Sequence, residues 1–250
     1  MGYILAQRHR QTLTSFALSN VLVVFDYDGT LAPIAPTPPE ARMRGVTRRL
    51  LKRAATSYPC VVISGRSLAD VKRRLCGVPL WNVTGNHGVE PWDATRAHAA
   101  RVRSWADLLA RQLAPRNGIV VEDKRYSLAV HYRNAENRRA ARRAIAQAVN
   151  GIRGARIMGG KAAVNLVPRG APHKGTALER ARRLLACDTA IYVGDDATDE
   201  DAFSVGPRSR LLSIRVGRAR GSRASYYLRN QHEIDDFLRA LIALRGSGRC

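Results

Sequence analysis

The sequence predicts an α/β fold in which a core built on a parallel sheet carries a smaller, inserted α+β domain. Near both ends of the chain, short apolar runs alternate with amphipathic helical segments, which is the pattern of parallel strands covered by helices. The middle of the chain instead has pairs of adjacent strands beside helices, the pattern of a small α+β unit. Several apolar runs of the core end in polar loops, where an open α/β sheet binds its ligands.

The core begins with a buried strand. Val21–Phe25 is a continuous apolar run that leads directly into the polar, Gly-containing residues 26–30, as expected of a parallel strand that ends in a loop. The proline-rich residues 33–39 cannot form a helix or a central strand and predict an exposed connection. The alternation continues with helices predicted over residues 42–55 and 68–76 and strands over residues 59–63 and 80–84.

The inserted unit and the second part of the core follow from the same patterns. In the inserted unit we predict helices over residues 101–113 and 135–149 and strands over residues 118–122, 127–132, 155–158 and 162–167. The core pattern then returns, with helices over residues 175–185 and 234–244 and strands over residues 189–193, 213–216 and 225–228. The core domain is therefore expected to comprise residues 1–92 and 169–250, and the inserted domain residues 93–168.

Composition excludes several protein classes. The chain has 250 residues, of which 45% are hydrophobic, so it can bury a sizeable core and is not a disordered chain. It contains no apolar run long enough for a membrane span and no apolar segment typical of a secretory signal. The four cysteines are scattered without a C-x-x-C pair, which predicts reduced thiols in the cytoplasm; they are Cys60, Cys76, Cys187 and Cys250.

The formal net charge of +22 raises the possibility of a polyanionic partner. Only five of the 42 basic residues are lysines, and the arginines are spread along the chain in pairs at helical spacing, as on solvated helix faces. A nucleic-acid-binding module would have a concentrated basic face with interleaved aromatic residues, but the aromatic content is 6%. The charge therefore favours solubility over nucleic-acid binding, and it does not determine the fold.

The first polar loop carries two carboxylates, Asp26 and Asp28, at positions i and i+2 after a strand. Two carboxylates on one tight loop can face the same small site, where one attacks phosphorus and the other handles the proton of the leaving group. Gly29 supplies the backbone freedom that such a turn needs. The alternative for this motif alone is an ordinary turn stabilised by aspartate side chains.

Two further motifs suit an anion. Ser64 and Gly65 lie where a strand ends and a helix begins, so a hydroxyl and exposed N–H groups can bind a phosphate, although Ser64 or Ser67 could also be an ordinary helix cap. Lys174 opens a predicted helix, where the helix dipole disfavours a cation. A phosphate-binding ammonium explains that position better than helix stability does.

The fourth motif is acidic. Residues 195–201 contain five acids, including Asp195, Asp196 and Asp199, directly after a predicted strand. Helix capping needs fewer acids than this, and the excess is unusual in so basic a chain. Clustered carboxylates without histidine or cysteine suit Mg²⁺, which binds through one or two carboxylates together with phosphate and water.

Taken in order, these motifs resemble those of the haloacid dehalogenase superfamily of phosphatases, whose members have a Rossmann-like core and a cap domain. Longer strings are similar to those of trehalose-6-phosphate phosphatases, and together they cover residues 21–203. These strings are DYDGTLAPI from Asp26, SGR from Ser64, GNHG from Gly85, EDK from Glu122 and GDDATDE from Gly194. The inserted α+β domain would then be the cap, which closes over the site.

The resemblance implies a role for each matching core residue. Asp26 would be the nucleophile that forms an aspartyl-phosphate, and Asp28 would protonate the departing sugar oxygen and later deprotonate water. Ser64, Gly65 and Lys174 would hold phosphoryl oxygens. Mg²⁺ would be bound by Asp26, by Asp28 through its backbone carbonyl, by Asp195 and by Asp196, while Asp199 would order a metal-bound water or Lys174.

The same resemblance implies a set of substrate-binding residues: Arg66, His87, Glu122, Lys124, Lys161 and Asn165. One of them departs from the family pattern. The cap string resembles G-K-x-x-x-E, but this chain has Asn165 at the last position. An amide can bond a hydroxyl, yet it lacks the charge-assisted bond of a carboxylate.

Three functions are open on the sequence. The first is a Mg²⁺-dependent phosphatase for trehalose 6-phosphate, with the sugar phosphate as its partner and with neither nucleic acid nor membrane involved. The second is a phosphatase of the same superfamily for another sugar phosphate, such as a sucrose or glucosylglycerol ester, and Asn165 keeps it open. The third is a basic nucleic-acid-binding module, which the dispersed arginines disfavour.

Overall fold

The structure is a computed structural model that describes residues 1–247. Cys250, one of the predicted reduced thiols, lies outside the described residues. Cys60, Cys76 and Cys187 are free thiols, of which Cys76 is exposed. Among the residues described, no helix is both long and apolar enough to cross a membrane.

The chain forms two sheets, with helices between most of their strands. The first part consists of β1 (Gly2–Tyr3), α1 (Arg10–Leu18), β2 (Val21–Phe25), α2 (Gly45–Ser57), β3 (Cys60–Ile63), α3 (Leu68–Arg74) and β4 (Asn82–Thr84). The middle part consists of α4 (Arg96–Leu113), β5 (Val120–Asp123), β6 (Leu128–His131), α5 (Arg138–Asn150), β7 (Ala155–Gly160) and β8 (Ala163–Pro168). The last part consists of α6 (Lys174–Leu184), β9 (Thr189–Gly194), α7 (Glu200–Phe203), β10 (Leu211–Val216), β11 (Tyr226–Leu228) and α8 (Ile234–Ser247).

The larger sheet has seven strands in the order β1-β11-β10-β9-β2-β3-β4, and every neighbouring pair is parallel. The smaller sheet has four antiparallel strands in the order β5-β6-β8-β7. The predicted fold class, a parallel-sheet core with a smaller α+β unit, is confirmed. All four strands of the small sheet lie within residues 93–168, and the domain boundaries themselves stay a prediction.

Strand β2 lies in the interior of the large sheet, between β9 and β3, and both of its faces are apolar. Val21, Val23 and Phe25 pack on one face with residues of α1, α2 and α8, whereas Leu22 and Val24 pack on the other face with residues of α6 and α7. All five residues of the strand are fully buried. Helices therefore cover both faces of the sheet, which leaves its strand ends as the accessible edge.

The inserted unit has its own core. Val102, Trp105, Leu109 and Leu113 recur at helical spacing along α4 and pack against α5 and against residues of β6 and β8. Helix α4 begins five residues earlier than the predicted residue 101, after Thr95, whose Oγ1 accepts the backbone N–H of His98. This side-chain cap accounts for the earlier start.

The N-terminal elements were not predicted from the sequence. Strand β1 has two residues and pairs with Tyr226 and Tyr227, which lie more than two hundred positions further along the chain. Helix α1 has no side-chain cap, and it buries only three residues, Leu13, Phe16 and Ala17. Because both elements depend on distant packing partners, their local sequence carries little signal.

Candidate active site

Three neighbouring strands of the large sheet, β9, β2 and β3, deliver the polar motifs to one edge. Asp195 follows β9, Asp26 follows β2, and Ser64 follows β3. The backbone N–H of Asp26 donates to the carbonyl of Val193, at 2.9 Å, so the first two loops are joined where they leave the sheet. Three motifs that are distant in the sequence therefore lie side by side, as the parallel pattern predicts.

Lys174 joins two of the carboxylates in the interior. Its Nζ donates to Asp26 Oδ1 at 2.8 Å and to Asp199 Oδ1 at 2.7 Å, and only 2% of Lys174 is exposed. Burial alone would lower the pKa of Lys174, but the negative charges of Asp199 and Asp26 raise it well above its usual value. The ammonium is therefore charged and held in place beside Asp26.

Asp199 is a fully engaged carboxylate. Its Oδ1 accepts from Lys174 and from the hydroxyl of Tyr192, and its Oδ2 accepts the backbone N–H groups of Asp195 and Asp196, each at 2.9 Å. Although burial would raise the pKa of Asp199, Lys174 and these hydrogen bonds lower it. With four donors on its two oxygens, Asp199 shapes the acidic loop and positions Lys174, and it has little capacity left to bind a metal.

Asp26 and Asp195 are the carboxylates that could hold a cation. Ligand oxygens of Asp26, Asp195 and Asp199 lie within 4.8 Å of one another, and this is the one such group among the residues that the structure describes. Both oxygens of Asp195 are buried without a hydrogen bond, and the ammonium of Lys161 contacts Oδ2. Burial raises the pKa of Asp195 to about 7, and a cation bound at this carboxylate would offset the cost of its buried charge. Two buried carboxylates this close together, Asp26 and Asp195, suit a bound cation.

Gly29 allows the first loop to approach Asp195. Its φ is +82°, in the left-handed region that favours glycine, and the turn is closed by hydrogen bonds between Gly29 and Ala32 and between Ala32 and Tyr27. A Cβ at Gly29 would lie 2.0 Å from Asp195 Oδ2. Glycine is therefore required here for both conformation and space.

The second motif surrounds a buried hydroxyl. Ser64 is fully buried, and its Oγ accepts the backbone N–H of Arg66 at 3.2 Å. The carbonyl of Gly65 accepts from Lys124 Nζ at 3.1 Å. The Arg66 side chain donates to Asp28 and to Asp70. Of the predicted residues in this loop, Arg66 thus contacts the Asp28 carboxylate directly, whereas Ser64 and Gly65 contact Arg66 and Lys124.

His87 faces the same site with a left-handed backbone conformation and with neither ring nitrogen hydrogen-bonded to a described residue. Its backbone φ is +60°, it is 5% exposed, and both ring nitrogens are buried without a hydrogen-bond partner. Burial lowers the pKa of His87 well below its usual value, and the positive charges of Lys124, Lys174 and Arg156 lower it further. A neutral imidazole with two unused nitrogens can accept and donate one bond each to a ligand.

The small sheet contributes the remaining predicted residues. Glu122 Oε2 bonds the His131 ring at 2.7 Å, and Lys124 reaches the core at Gly65. Lys161 lies in the turn between β7 and β8, and Asn165 is a buried residue of β8. These contacts bring the two sheets together around one cavity.

The cavity has a volume of about 780 Å³ and lies between the two sheets. Most of the predicted site residues line it, and only Ser64 and Asp199 lie behind its wall. The lining members are Asp26, Asp28, Gly65, Arg66, His87, Glu122, Lys124, Lys161, Asn165, Lys174, Asp195 and Asp196. A cavity of this size accommodates a disaccharide phosphate.

Two residues that connect the sheets were not found from the sequence. Arg133 donates to the carbonyls of Ala35 and Lys161, and Asn86 donates to the carbonyl of Lys124 and accepts from Ser127. In so arginine-rich a chain nothing distinguishes Arg133. Asn86 lies within the string GNHG, so its neighbour His87 was the available signal.

Comparisons with known proteins agree with this architecture. A model of the trehalose-phosphatase family matches residues 24–232. A trehalose-phosphate phosphatase of Mycobacterium tuberculosis is 38% identical over 210 residues, 77% of this chain. One of Mycobacterium avium is 36% identical over 243 residues, 91% of this chain. The chain spans 53% and 59% of the lengths of these two relatives.

Solved structures share the fold. The C-terminal domain of the Candida albicans trehalose-6-phosphate phosphatase superposes with a TM-score of 0.74 and 21% identity, covering 95% of this chain and 96% of that one. A protein described as related to trehalose-6-phosphate phosphatase superposes with a TM-score of 0.72 and 23% identity, covering 91% and 100%. At these identities the likeness establishes the core and cap fold.

Gly29→Ala should cost more stability than Gly170→Ala. Both glycines have positive φ, +82° and +85°, so either alanine costs about 1–2 kcal/mol in backbone strain. A new Cβ meets Asp195 at Gly29 and meets nothing within 4 Å at Gly170. Urea unfolding should show a further loss of about 1–3 kcal/mol for Gly29→Ala. Equal losses in the two variants would contradict the close approach.

Proposed function

Because this chain belongs to the trehalose-phosphatase family, we propose that it hydrolyses trehalose 6-phosphate to trehalose and phosphate. It would be a phosphoric monoester hydrolase that acts through an aspartyl-phosphate on Asp26. The observation that carries the proposal is the buried Asp26–Lys174–Asp199 triad beside a cavity that accommodates a sugar phosphate.

Asp26 is the proposed nucleophile. Its Oδ1 is held by Lys174, and among the described residues Oδ2 takes part in no hydrogen bond, so Oδ2 is the oxygen that attacks phosphorus. The fixed ammonium orients the carboxylate and lies close enough to neutralise a phosphoryl oxygen. The backbone at Gly65, which lines the cavity, would hold another phosphoryl oxygen where β3 passes into α3. Ser64 is buried beneath that lining; its hydroxyl accepts from the Arg66 N–H and would donate its own proton to the phosphate after a local shift of the loop.

Asp28 is the proposed acid and base. It lies two residues beyond Asp26 and lines the cavity, so it can reach the oxygen that leaves with the sugar. In the first step the proton of its carboxyl passes to that oxygen as the bond from phosphorus to the sugar oxygen breaks. In the second step Asp28 takes a proton from water, whose oxygen attacks phosphorus and releases Asp26.

The residues present fit a divalent cation. The carboxylate of Asp195 is buried next to Asp26; among the described residues its Oδ1 has no hydrogen-bond partner, its Oδ2 contacts only the Lys161 ammonium, and such oxygens are the kind of ligands that Mg²⁺ binds. We propose that Asp26, the Asp28 backbone carbonyl and Asp195 hold Mg²⁺, with Asp196 beside them. When bound, Mg²⁺ would neutralise charge on the phosphoryl oxygens. Asp199 would keep the acidic loop in shape through the N–H groups of Asp195 and Asp196.

The small sheet and its helices form the proposed cap, which would recognise the sugar. Glu122, Lys124, Lys161 and Asn165 line the cavity from this side, and His87 and Arg66 line it from the core. The amide of Asn165, in place of the family's carboxylate, also favours a second candidate, a phosphatase for another sugar phosphate. The free thiols support a reducing compartment, and we propose a cytoplasmic location.

Asp26→Asn should abolish phosphate release from trehalose 6-phosphate, because an amide is a far weaker nucleophile and a poorer metal ligand. Fluoroberyllate, which mimics a phosphoryl group on a carboxylate, should inhibit the unmodified enzyme and fail to bind the variant. The exposed Asp107 supplies a matched control, Asp107→Asn, which should keep full activity. Substantial turnover by a purified Asp26→Asn protein would refute the nucleophile.

Mg²⁺ should be needed for activity and should also stabilise the fold. Exhaustive EDTA treatment should remove turnover, because the carboxylates would repel an incoming phosphate. Binding at a concentration of 100 Kd should add about 2.7 kcal/mol of stability and raise Tm, even without substrate. Asp195→Asn should lose this Tm shift, whereas Asp107→Asn should keep it. Full activity after chelation, or the same shift in both variants, would contradict the site.

Lys161→Ala tests the cap. It should lower kcat/KM for trehalose 6-phosphate by about ten- to a hundredfold, the value of a lost charge-assisted bond, and affect p-nitrophenyl phosphate much less. The core handles the phosphoryl group, and Lys161, which contacts Asp195 in this structure, would turn to the sugar hydroxyls once a cation neutralises that carboxylate. Asn165→Glu should keep or raise activity if trehalose 6-phosphate is the substrate. If Lys161→Ala lowered kcat/KM equally for both esters, Lys161 would not be a sugar-binding residue.

A further inference from the structure

The Arg66 side chain forms a bidentate salt bridge with Asp28. Its Nε donates to Asp28 Oδ2 and its Nη2 donates to Asp28 Oδ1, both at 2.7 Å. Arg66 is 8% exposed, so this pair is shielded from water on the arginine side. Two parallel bonds from a planar guanidinium fix both the place and the plane of a carboxylate.

Arg66 is itself held from behind by Asp70. Its Nη1 donates to Asp70 Oδ2 at 2.6 Å, and the same oxygen accepts from Arg74 Nε at 2.9 Å. Arg74 Nη1 also donates to the carbonyl of Ala41 at 2.6 Å, which ties the network to the segment before α2. Although burial would raise the pKa of Asp70, Arg74 and Arg66 lower it to about 2, so Asp70 stays ionised at neutral pH. The guanidinium of Arg66 is thus fixed at both ends.

This arrangement bears on the role expected for Arg66. Each of its three side-chain nitrogens donates to a carboxylate of the protein, two of them to Asp28. A direct bond to a sugar hydroxyl would have to compete with these charge-assisted bonds, which are about twice as strong as neutral ones. The geometry therefore favours action on Asp28 over contact with the sugar.

We propose that Arg66 is a positioning residue that acts through Asp28. Its bidentate salt bridge holds the Asp28 carboxyl group where that group can exchange a proton with the leaving oxygen. The inference rests on the proposed phosphatase function. Both Asp28 oxygens accept from Arg66 in this salt bridge, so the structure shows the form that takes a proton from water in the second step. In the first step one of the two bonds opens: that oxygen of Asp28 carries the proton to the departing oxygen, while the other stays paired with Arg66 and keeps the carboxyl group in place.

Position matters because proton transfer needs the two oxygens within about 2.6–3.2 Å of each other, and a misplacement of about 1 Å can cost a hundredfold in rate. The need depends on the leaving group. An oxygen that is a poor leaving group requires the proton, whereas the p-nitrophenolate ion departs without it. A positioning role for Arg66 therefore predicts that Arg66→Ala lowers kcat/KM more when the leaving oxygen is more basic.

Two aryl esters without sugar hydroxyls, phenyl phosphate and p-nitrophenyl phosphate, isolate this effect. Arg66→Ala should lower kcat/KM about ten- to a hundredfold for phenyl phosphate and less than about threefold for p-nitrophenyl phosphate. The kcat/KM of both esters reports the steps up to phosphorylation of Asp26, so later hydrolysis does not enter. In an Asp28→Asn background, Arg66→Ala should add little further loss, because its target carboxylate is gone.

Three variants complete the test. Arg66→Lys keeps the charge but cannot form the two parallel bonds, so it should show the same preference for p-nitrophenyl phosphate and covers the case in which Arg66→Ala does not fold. Asp70→Asn should show the same pattern more weakly. Arg103→Ala is the matched control, since Arg103 is an exposed arginine of α4 that does not line the cavity, and it should leave both rates unchanged.

The outcomes separate the two proposals. The positioning role would be overturned if Arg66→Ala lowered kcat/KM equally for the two aryl esters. It would also be overturned if the effects of Arg66→Ala and Asp28→Asn on kcat/KM were fully additive. Unchanged aryl rates with a loss on trehalose 6-phosphate alone would overturn it in favour of a sugar contact. Failure of the unmodified enzyme on trehalose 6-phosphate, with normal aryl ester turnover, would refute the substrate and leave the Arg66 comparison valid.

Discussion

The ion triad of Lys174 with Asp26 and Asp199 is the interaction on which the site depends. An ammonium that is 2% exposed is held between two buried carboxylates, and removal of one partner from such a group typically costs about 3–5 kcal/mol. Lys174 opens α6, Asp26 follows β2, and Asp199 lies after β9. The requirement to neutralise these charges therefore holds three elements together at one edge of the sheet.

The rest of the site is built outward from this triad. Asp199 uses its second oxygen to hold the N–H groups of Asp195 and Asp196, which turns the acidic loop toward the cavity. Gly29 then lets the first loop lie against Asp195. On the far side, Arg66 and Asp70 fix Asp28 in the same way, with charges paired to charges. Each carboxylate that could act on a ligand is thus oriented by a neighbour.

The proposed cap covers the edge of the large sheet, so residues of both sheets line the cavity. Lys124 reaches the Gly65 carbonyl, Lys161 contacts Asp195, and Arg133 bonds carbonyls in both parts of the chain. These contacts join the residues proposed to recognise a sugar to the residues proposed to hold a phosphate. The same cation, Lys161, therefore connects the cap to the proposed metal site.

The sequence by itself determined the alternating strands and helices and the order of the motifs, and it was enough to propose the chemistry, because these depend on local periodicity and residue type. It could not reveal α1 and β1, whose stability comes from distant partners. It placed Arg66 among the sugar contacts, while only the tertiary structure pairs Arg66 with Asp28. Whether a charged side chain meets a ligand or another side chain depends on which loops the folded sheet brings together, and local sequence does not encode that distance.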